Sequence, residues 1–359
     1  MHAPTISGRL LIALSMLLLA TPVFADETSE TLPDPDGKPA DMSKPVQIYM
    51  LLGQSNMVGA GRVGGGDGSL EYAVKEKDLY PYLVDDSGAW TERKDVRFAR
   101  VMATGGNVTD KPLNNQWLTV SGINKIGPEL GIGHQLGHAV DAPVLILKSC
   151  IGNRGIGYSL LPPGSERYEF EDKGKTMIHA GFGDTGSWEK GAEPPPKGWY
   201  AGCQYDSDIG SAKKVLENLK QWYPEAEKYE VAGFYFWQGD KDRYSENYAK
   251  RYEQNLVQLI KALRKDFDAP EAPFVLATLG QSKKDEAKGN DALIFSAQLA
   301  VDGNSGKYPE FKGNVATVYT HPLSKGGASN SHYGGNAETY MNVGEAMGKA
   351  MVKLLETEE

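Results

Sequence analysis

Val46-Gln47-Ile48-Tyr49-Met50-Leu51-Leu52, followed at once by Gly53-Gln54-Ser55-Asn56-Met57, is the stretch on which the fold turns. Seven residues of strand length with one polar side chain read as a strand buried on both faces, the pattern of a parallel sheet. Similar runs recur along the chain: Val144 to Leu147, Glu230 to Trp237, Phe274 to Leu279 and Val315 to Thr320. Helical spacing separates them. Gly127 to Val140 has Leu130, Leu136 and Val140 in register, and Ile209, Ala212, Leu216, Leu219 and Trp222 follow the same repeat. So do Tyr248, Tyr252, Leu256, Leu259, Leu263 and Phe267, and Ala337, Tyr340, Val343, Met347, Met351 and Leu354 close the chain. Strand–helix alternation of this kind predicts an α/β fold, a central parallel sheet covered on both faces.

Two stretches interrupt the alternation. Residues 53–116 are rich in Gly, Asp and Tyr and hold one weak strand, Val96 to Val101. Residues 157–202 are rich in Pro and Gly, with Tyr158, Tyr168, Phe170, Trp188, Trp199 and Tyr200 among them. Long insertions in a compact domain are usually functional loops, and the aromatics here favour an ordered lid.

At the N-terminus, Arg9 precedes the apolar run Leu10 to Ala20, and Val23-Phe24-Ala25 fits a small-residue cleavage site. Residues 1–25 read as an export signal too short to span a bilayer comfortably. Residues 26–44, acidic and rich in Pro, Ser and Thr, read as a flexible linker, and residues 45–357 as one catalytic-sized domain. The expected location is periplasmic or extracellular, with no membrane contact after signal removal. The net charge of −9 with no Lys/Arg cluster makes nucleic acid a poor partner. The two cysteines, Cys150 and Cys203, are candidates for one disulfide in an exported protein or for two separate thiols. No spacing suggests a metal site, and no cofactor is expected.

Ligands of such sheets bind at the carboxyl ends of the strands. Three motifs sit there. Ser55 follows the first strand through Gly-Gln, where its hydroxyl can project into the crevice, and a helix opening at that point would supply N–H groups to an oxyanion. A serine there also makes a good helix cap. Lys148-Ser149-Cys150-Ile151-Gly152-Asn153-Arg154 follows the second strand, and Gly152 lets the backbone approach a reacting carbonyl. Trp237-Gln238-Gly239-Asp240-Lys241-Asp242 follows the third, with an amide and two carboxylates. A fourth motif, Ser331-His332-Tyr333-Gly334-Gly335-Asn336, precedes the last helix.

Taken in order, these four blocks resemble the sialate O-acetylesterase-like branch of the SGNH hydrolases, similar to carbohydrate esterase family six. The resemblance covers roughly Pro45 to Leu355, and its most specific piece is Gly53-Gln54-Ser55-Asn56-Met57. It implies a three-layer α/β/α, flavodoxin-like fold and a serine esterase that removes O-acetyl groups from carbohydrate, of acetylxylan or sialate type. Ser55 would be nucleophile and His332 base. The Ser55 N–H, the Gly152 N–H and the Gln238 side chain would form the oxyanion hole. Gln54, Asn56, Asn153 and Arg154 are the candidate substrate contacts.

Two departures stand out. Many relatives carry an aspartate three residues before the histidine, where this chain has Ser329. Asp240, then Asp242, are therefore the candidates for orienting His332, and a dyad without an acid is the third option. Asn153-Arg154 stands where relatives often have Gly-Gly or Gly-Lys. His321, also at a strand end, is a lesser candidate for the base. Two other readings stay open: an esterase of small non-carbohydrate esters, and a carbohydrate-binding protein that has lost catalysis.

Overall fold

The computed structural model describes residues 1, 32–33, 35–196 and 198–356. The expected export signal and the first part of the linker lie outside the described residues, Met1 aside. Residues 35–44 carry no helix or strand.

In chain order the first half comprises β1 (Val46–Gly53), the single-turn α1 (Ser55–Val58), β2 (Gly61–Arg62), α2 (Leu70–Lys75), β3 (Glu92–Val101), β4 (Asn114–Thr119), β5 (Lys125–Ile126), α3 (Glu129–Ala139), β6 (Val144–Ser149), β7 (Tyr168–Asp172), β8 (Lys175–His179) and β9 (Trp188–Glu189). The second half comprises α4 (Cys203–Glu217), α5 (Leu219–Trp222), β10 (Tyr229–Trp237), α6 (Glu246–Asp266), β11 (Phe274–Ala277), α7 (Gly289–Ala300), β12 (Val315–Val318) and α8 (Ala337–Glu356).

The main sheet has seven strands in the order β12-β11-β10-β1-β6-β3-β4. All neighbours pair in parallel except β4, which runs antiparallel to β3 at one edge. β1 is central, and its side chains alternate between two buried clusters. Val46, Ile48, Met50 and Leu52 join one, with α4, α5, α6 and α7; Tyr49 and Leu51 join the other, with α2, α3 and α8. The two-residue period of a strand makes each face of the sheet a separate core, and the result is the expected three-layer α/β/α architecture.

The helix α6 shows why the layers close. Ala249, Tyr252, Leu256, Leu259, Ile260 and Leu263 are buried, a stripe at three- and four-residue spacing that faces the sheet. On the other face α3 and α8 cross with their backbones almost touching. A Cβ on Gly131 would lie 2.6 Å from the Glu345 nitrogen, and one on Gly344 would lie 2.4 Å from the Pro128 oxygen. That approach holds α8 against α3, and the loop that carries His332 leads directly into α8.

Both insertions are ordered. Residues 53–116 supply α2 and β3, and β3 extends the sheet beside β6. Residues 157–202 contain a three-stranded antiparallel sheet, β7-β8-β9. The candidate disulfide is not formed: Cys150 and Cys203 are both free and buried. Cys150 follows β6 into one core while Cys203 opens α4. Burial pushes the Cys150 thiol up to about 12.

One buried ion pair ties the layers together. Lys148, at the end of β6, is fully buried and its ammonium meets the Glu129 carboxylate of α3, which also accepts from the Gly127 N–H. The same ammonium donates to the Val58 carbonyl at 3.1 Å, at the end of α1. Removing one member strands the other charge in the interior, at a cost of about 3–5 kcal/mol. K148M is expected to lose that much stability in urea denaturation, and K148M/E129Q to recover most of it. Equal stability of K148M and wild type would contradict the pairing.

Candidate active site

The turn that carries Ser55 is dictated by crowding. β1 and β10 stay paired to their last residues, Gly53 beside Trp237. Gly53 has φ +141, and a Cβ there would lie 2.4 Å from the Trp237 carbonyl oxygen. Only glycine lets the chain leave the sheet at this point, and it delivers Ser55 two residues later at the head of α1. α1 is a single turn, so its dipole is small. What it offers is individual N–H groups.

β6 brings the second piece. A Cβ on Gly152 would lie 3.4 Å from Ser55 Cβ, which places the glycine loop directly against the serine. Among the described residues the N–H groups of Ser55 and Gly152 and the Ser55 hydroxyl have no hydrogen-bond partner. Ser55 is half-buried. Two free donors and a free hydroxyl thus lie close together.

His332 comes from a tight turn, Ser329–Gly335, that α1 packs against. His332, Tyr333, Gly334 and Gly335 have φ of 53, 54, 60 and 73 in succession. Left-handed backbone at a residue with a Cβ costs about 1–2 kcal/mol, so this turn holds only because its neighbours fix it. Tyr333 does most of that. It is fully buried, stacks on Trp237 with ring centroids 5.7 Å apart, and accepts the Gly280 N–H at its hydroxyl at 3.1 Å. Strain of this kind concentrates at functional sites. His321, by contrast, faces the Gly280 carbonyl through Nδ1 at 2.8 Å and stacks on Tyr319.

Asp240 is buried beside the start of this turn, 4% exposed. Its Oδ1 is 2.7 Å from the Ser329 hydroxyl and 3.3 Å from Arg243 Nε, and its Oδ2 accepts from Asn56 Nδ2 at 3.1 Å. Burial raises its pKa, while the Ser329 hydroxyl and the charges of Arg243 and His332 pull the other way. The carboxylate reaches His332 by charge, and no hydrogen bond joins the two. Ser329 is therefore in direct contact with the carboxylate of the loop that follows β10.

Three candidate residues do other work. Gln238 is buried, and its Nε2 lies within hydrogen-bonding distance of Gln54 Oε1 (3.0 Å), the Arg154 carbonyl (2.9 Å) and Asp242 Oδ2 (2.5 Å). Its donors are spent on the protein, so it is not placed as an oxyanion donor. Asp242 is fully buried and accepts the N–H groups of Gly157 (2.7 Å) and Ile156 (3.2 Å). It anchors the start of the 157–202 insertion rather than orienting His332. Burial pushes its carboxyl up to about 6. Gln54 is 2% exposed and accepts from Gln238 and from the Lys241 N–H, so it stitches β1 to β10 below the surface.

Asn153 is exposed at φ 58 beside Gly152. Arg154 turns inward, onto the Gly152 and Asn153 carbonyls, Thr104 and Gln204. Lys148 and Arg243 were not anticipated. The available signal for Lys148 was a lysine closing an otherwise apolar strand. Among the described residues no cluster of side chains could hold a metal, and no helix is long and apolar enough to cross a membrane.

Residues 183–353 match the family described as carbohydrate esterase, sialic acid-specific acetylesterase. The matched stretch includes Asp240 and His332. No curated protein matches the chain. Among solved structures, a protein from Arabidopsis thaliana is similar at 16% identity and TM-score 0.49, over 86% of this chain and 98% of that one. A carbohydrate acetylesterase from Xanthomonas citri is similar at 11% identity and TM-score 0.49, over 85% of this chain and 55% of that one. NanS is similar at 14% identity and TM-score 0.40, over 80% of this chain and 79% of that one.

The crowding at Gly53 gives a direct test. G53A must displace either the Trp237 carbonyl or the Ser55 turn. Loss of at least about 2 kcal/mol of stability, or loss of ester hydrolysis in a protein that stays folded, is the expected outcome. A variant that keeps both would show that the turn tolerates a side chain.

Proposed function

We propose that the chain is an exported serine esterase that removes acetyl groups from carbohydrate, with Ser55 as nucleophile and His332 as general base. The observation that carries the reading is the convergence of an unengaged Ser55 hydroxyl, two unengaged N–H groups and a strained histidine turn at the carboxyl edge of the sheet. His332 takes the Ser55 proton as the hydroxyl attacks the acetyl carbonyl. The tetrahedral oxyanion is received by the N–H groups of Ser55 and Gly152. His332 then protonates the departing sugar hydroxyl, and water releases acetate by the same route in reverse.

Asp240 supplies the negative charge that favours the imidazolium. Its contact with Ser329 bears on the binding-protein reading, which rested on the missing acid. The Asp240 carboxylate, three residues past β10, lies 2.7 Å from the serine at that position, which supports an acid supplied from a different part of the chain. Export rests on the Arg9–Ala25 pattern and places the enzyme in the periplasm or outside the cell. No metal or other cofactor takes part in the proposed chemistry.

Two experiments test this. Mature wild type is expected to release acetate from a small aryl acetate and from acetylated xylan, and S55A from neither; equal release by both proteins would sink the nucleophile assignment. D240N is expected to lower kcat roughly a hundred- to ten-thousand-fold, and D240N/S329D to regain part of it. Adding S329D to the intact site sets two carboxylates side by side and should reduce activity. Wild-type rates in D240N would remove Asp240 from the mechanism.

A further inference from the structure

Most large aromatic side chains of this protein are covered, but two near the site are not. Trp199 is 52% exposed and Tyr244 is 66% exposed. Each lies over an arginine that is itself fastened to the machinery around Ser55. Arg154 stacks on the Trp199 ring at 5.0 Å and donates to the Gly152 carbonyl at 3.3 Å. Arg243 stacks on the Tyr244 ring at 5.1 Å and meets Asp240 at 3.3 Å. Tyr244 is fixed again by Asn330, two residues before His332, whose Nδ2 donates to the phenol oxygen at 3.2 Å.

Neither ring is a loose surface residue. The backbone of Trp199 is clamped through its carbonyl, which accepts the Tyr158 hydroxyl at 2.6 Å; that hydroxyl in turn accepts the Gly186 N–H at 2.7 Å. One face of each ring is backed by guanidinium while much of the ring stays open to solvent. A rigid exposed aromatic face leaves apolar area in water with no folding benefit, and it is the surface on which the C–H face of a sugar ring packs.

The sheet sets the side from which each ring comes. Tyr244 follows β10 and the Arg154 loop follows β6, and these strands flank β1 on opposite sides. The two platforms thus belong to connections that leave the sheet on either side of the strand that delivers Ser55. Both arginines turn their edges onto protein oxygens, so they stiffen the rings instead of presenting charge to a ligand.

We propose that Trp199 and Tyr244 are two sugar-stacking subsites on either side of Ser55. The substrate is then a neutral oligosaccharide or polysaccharide acetylated on an internal ring, not a free acidic monosaccharide. This rests on the esterase reading above and specifies its substrate class.

The test compares wild type, W199A, Y244A and the double variant on three probes: chemically acetylated xylohexaose, acetylated xylose and a small aryl acetate. Wild type is expected to prefer the hexaose to the acetylated monosaccharide by at least tenfold in kcat/KM. Each single variant should lower the hexaose-to-aryl-acetate ratio about three- to tenfold, and the double variant should abolish the preference. Equal kcat/KM on hexaose and monosaccharide, or an unchanged ratio in the double variant, overturns the proposal. Binding of unacetylated xylohexaose to S55A, followed by tryptophan fluorescence, is a readout independent of turnover. If no ester is hydrolysed, binding lost in W199A/S55A sustains the subsites while the esterase reading falls, and absence of binding overturns the subsites.

Discussion

Everything at the active edge depends on how closely β1 and β10 approach at their carboxyl ends. Parallel pairing held to the last residue puts the Trp237 carbonyl where a side chain on residue 53 would have to be. With glycine there, the chain turns out of the sheet within two residues and Ser55 stands above the strand ends. The same paired ends launch Gln238 and Asp240. Ser55, Asp240 and the network that braces them are thus fixed by one backbone contact, and the apolar faces of β1 and β10 hold that contact shut.

Beneath the reacting groups the protein spends its polar side chains on bracing. Gln238 gathers Gln54, the Arg154 carbonyl and Asp242 around one amide. Asp242 pins the insertion that begins at Gly157. Lys148 joins β6, α3 and the end of α1. Buried polar groups of this kind are costly unless fully paired, and here the pairs run between elements far apart in sequence. They make the strand ends rigid, which is what the proposed oxyanion donors need if they are to be preorganised. The strain of the His332 turn is carried by the stacking of Tyr333 on Trp237, an apolar contribution to the geometry of a polar site.

Much of this was legible in the sequence wherever burial is written as apolar periodicity. β1, β6, β10, β11 and β12 are near-continuous apolar runs, and α6 and α8 repeat at helical spacing, so the layered parallel sheet followed. β4 was not legible, because Asn114-Asn115-Gln116 is what a solvated edge strand looks like. Nor was the Glu92-Arg93-Lys94-Asp95 half of β3, where Arg93 and Asp95 pair with each other. The charged hairpin of β7 and β8 reads as loop for the same reason. Within the site, Ser55 and Gly152 could be placed because each follows an apolar strand by a fixed short turn. The work of Gln238, Asp240 and Asp242 could not, since these neighbours in sequence differ only in which distant atoms surround them. The same holds for Cys150 and Cys203, whose types allowed a bond that their positions do not make.

The central claim is that Ser55 is an activated nucleophile and that His332 activates it. A fluorophosphonate, which reacts with activated serines, tests it without assuming a sugar. Peptide mapping by mass spectrometry after labelling should find one adduct, on the peptide holding Ser55, formed far more slowly in H332A. An adduct on another serine, or equal labelling of Ser55 with and without His332, would contradict the account.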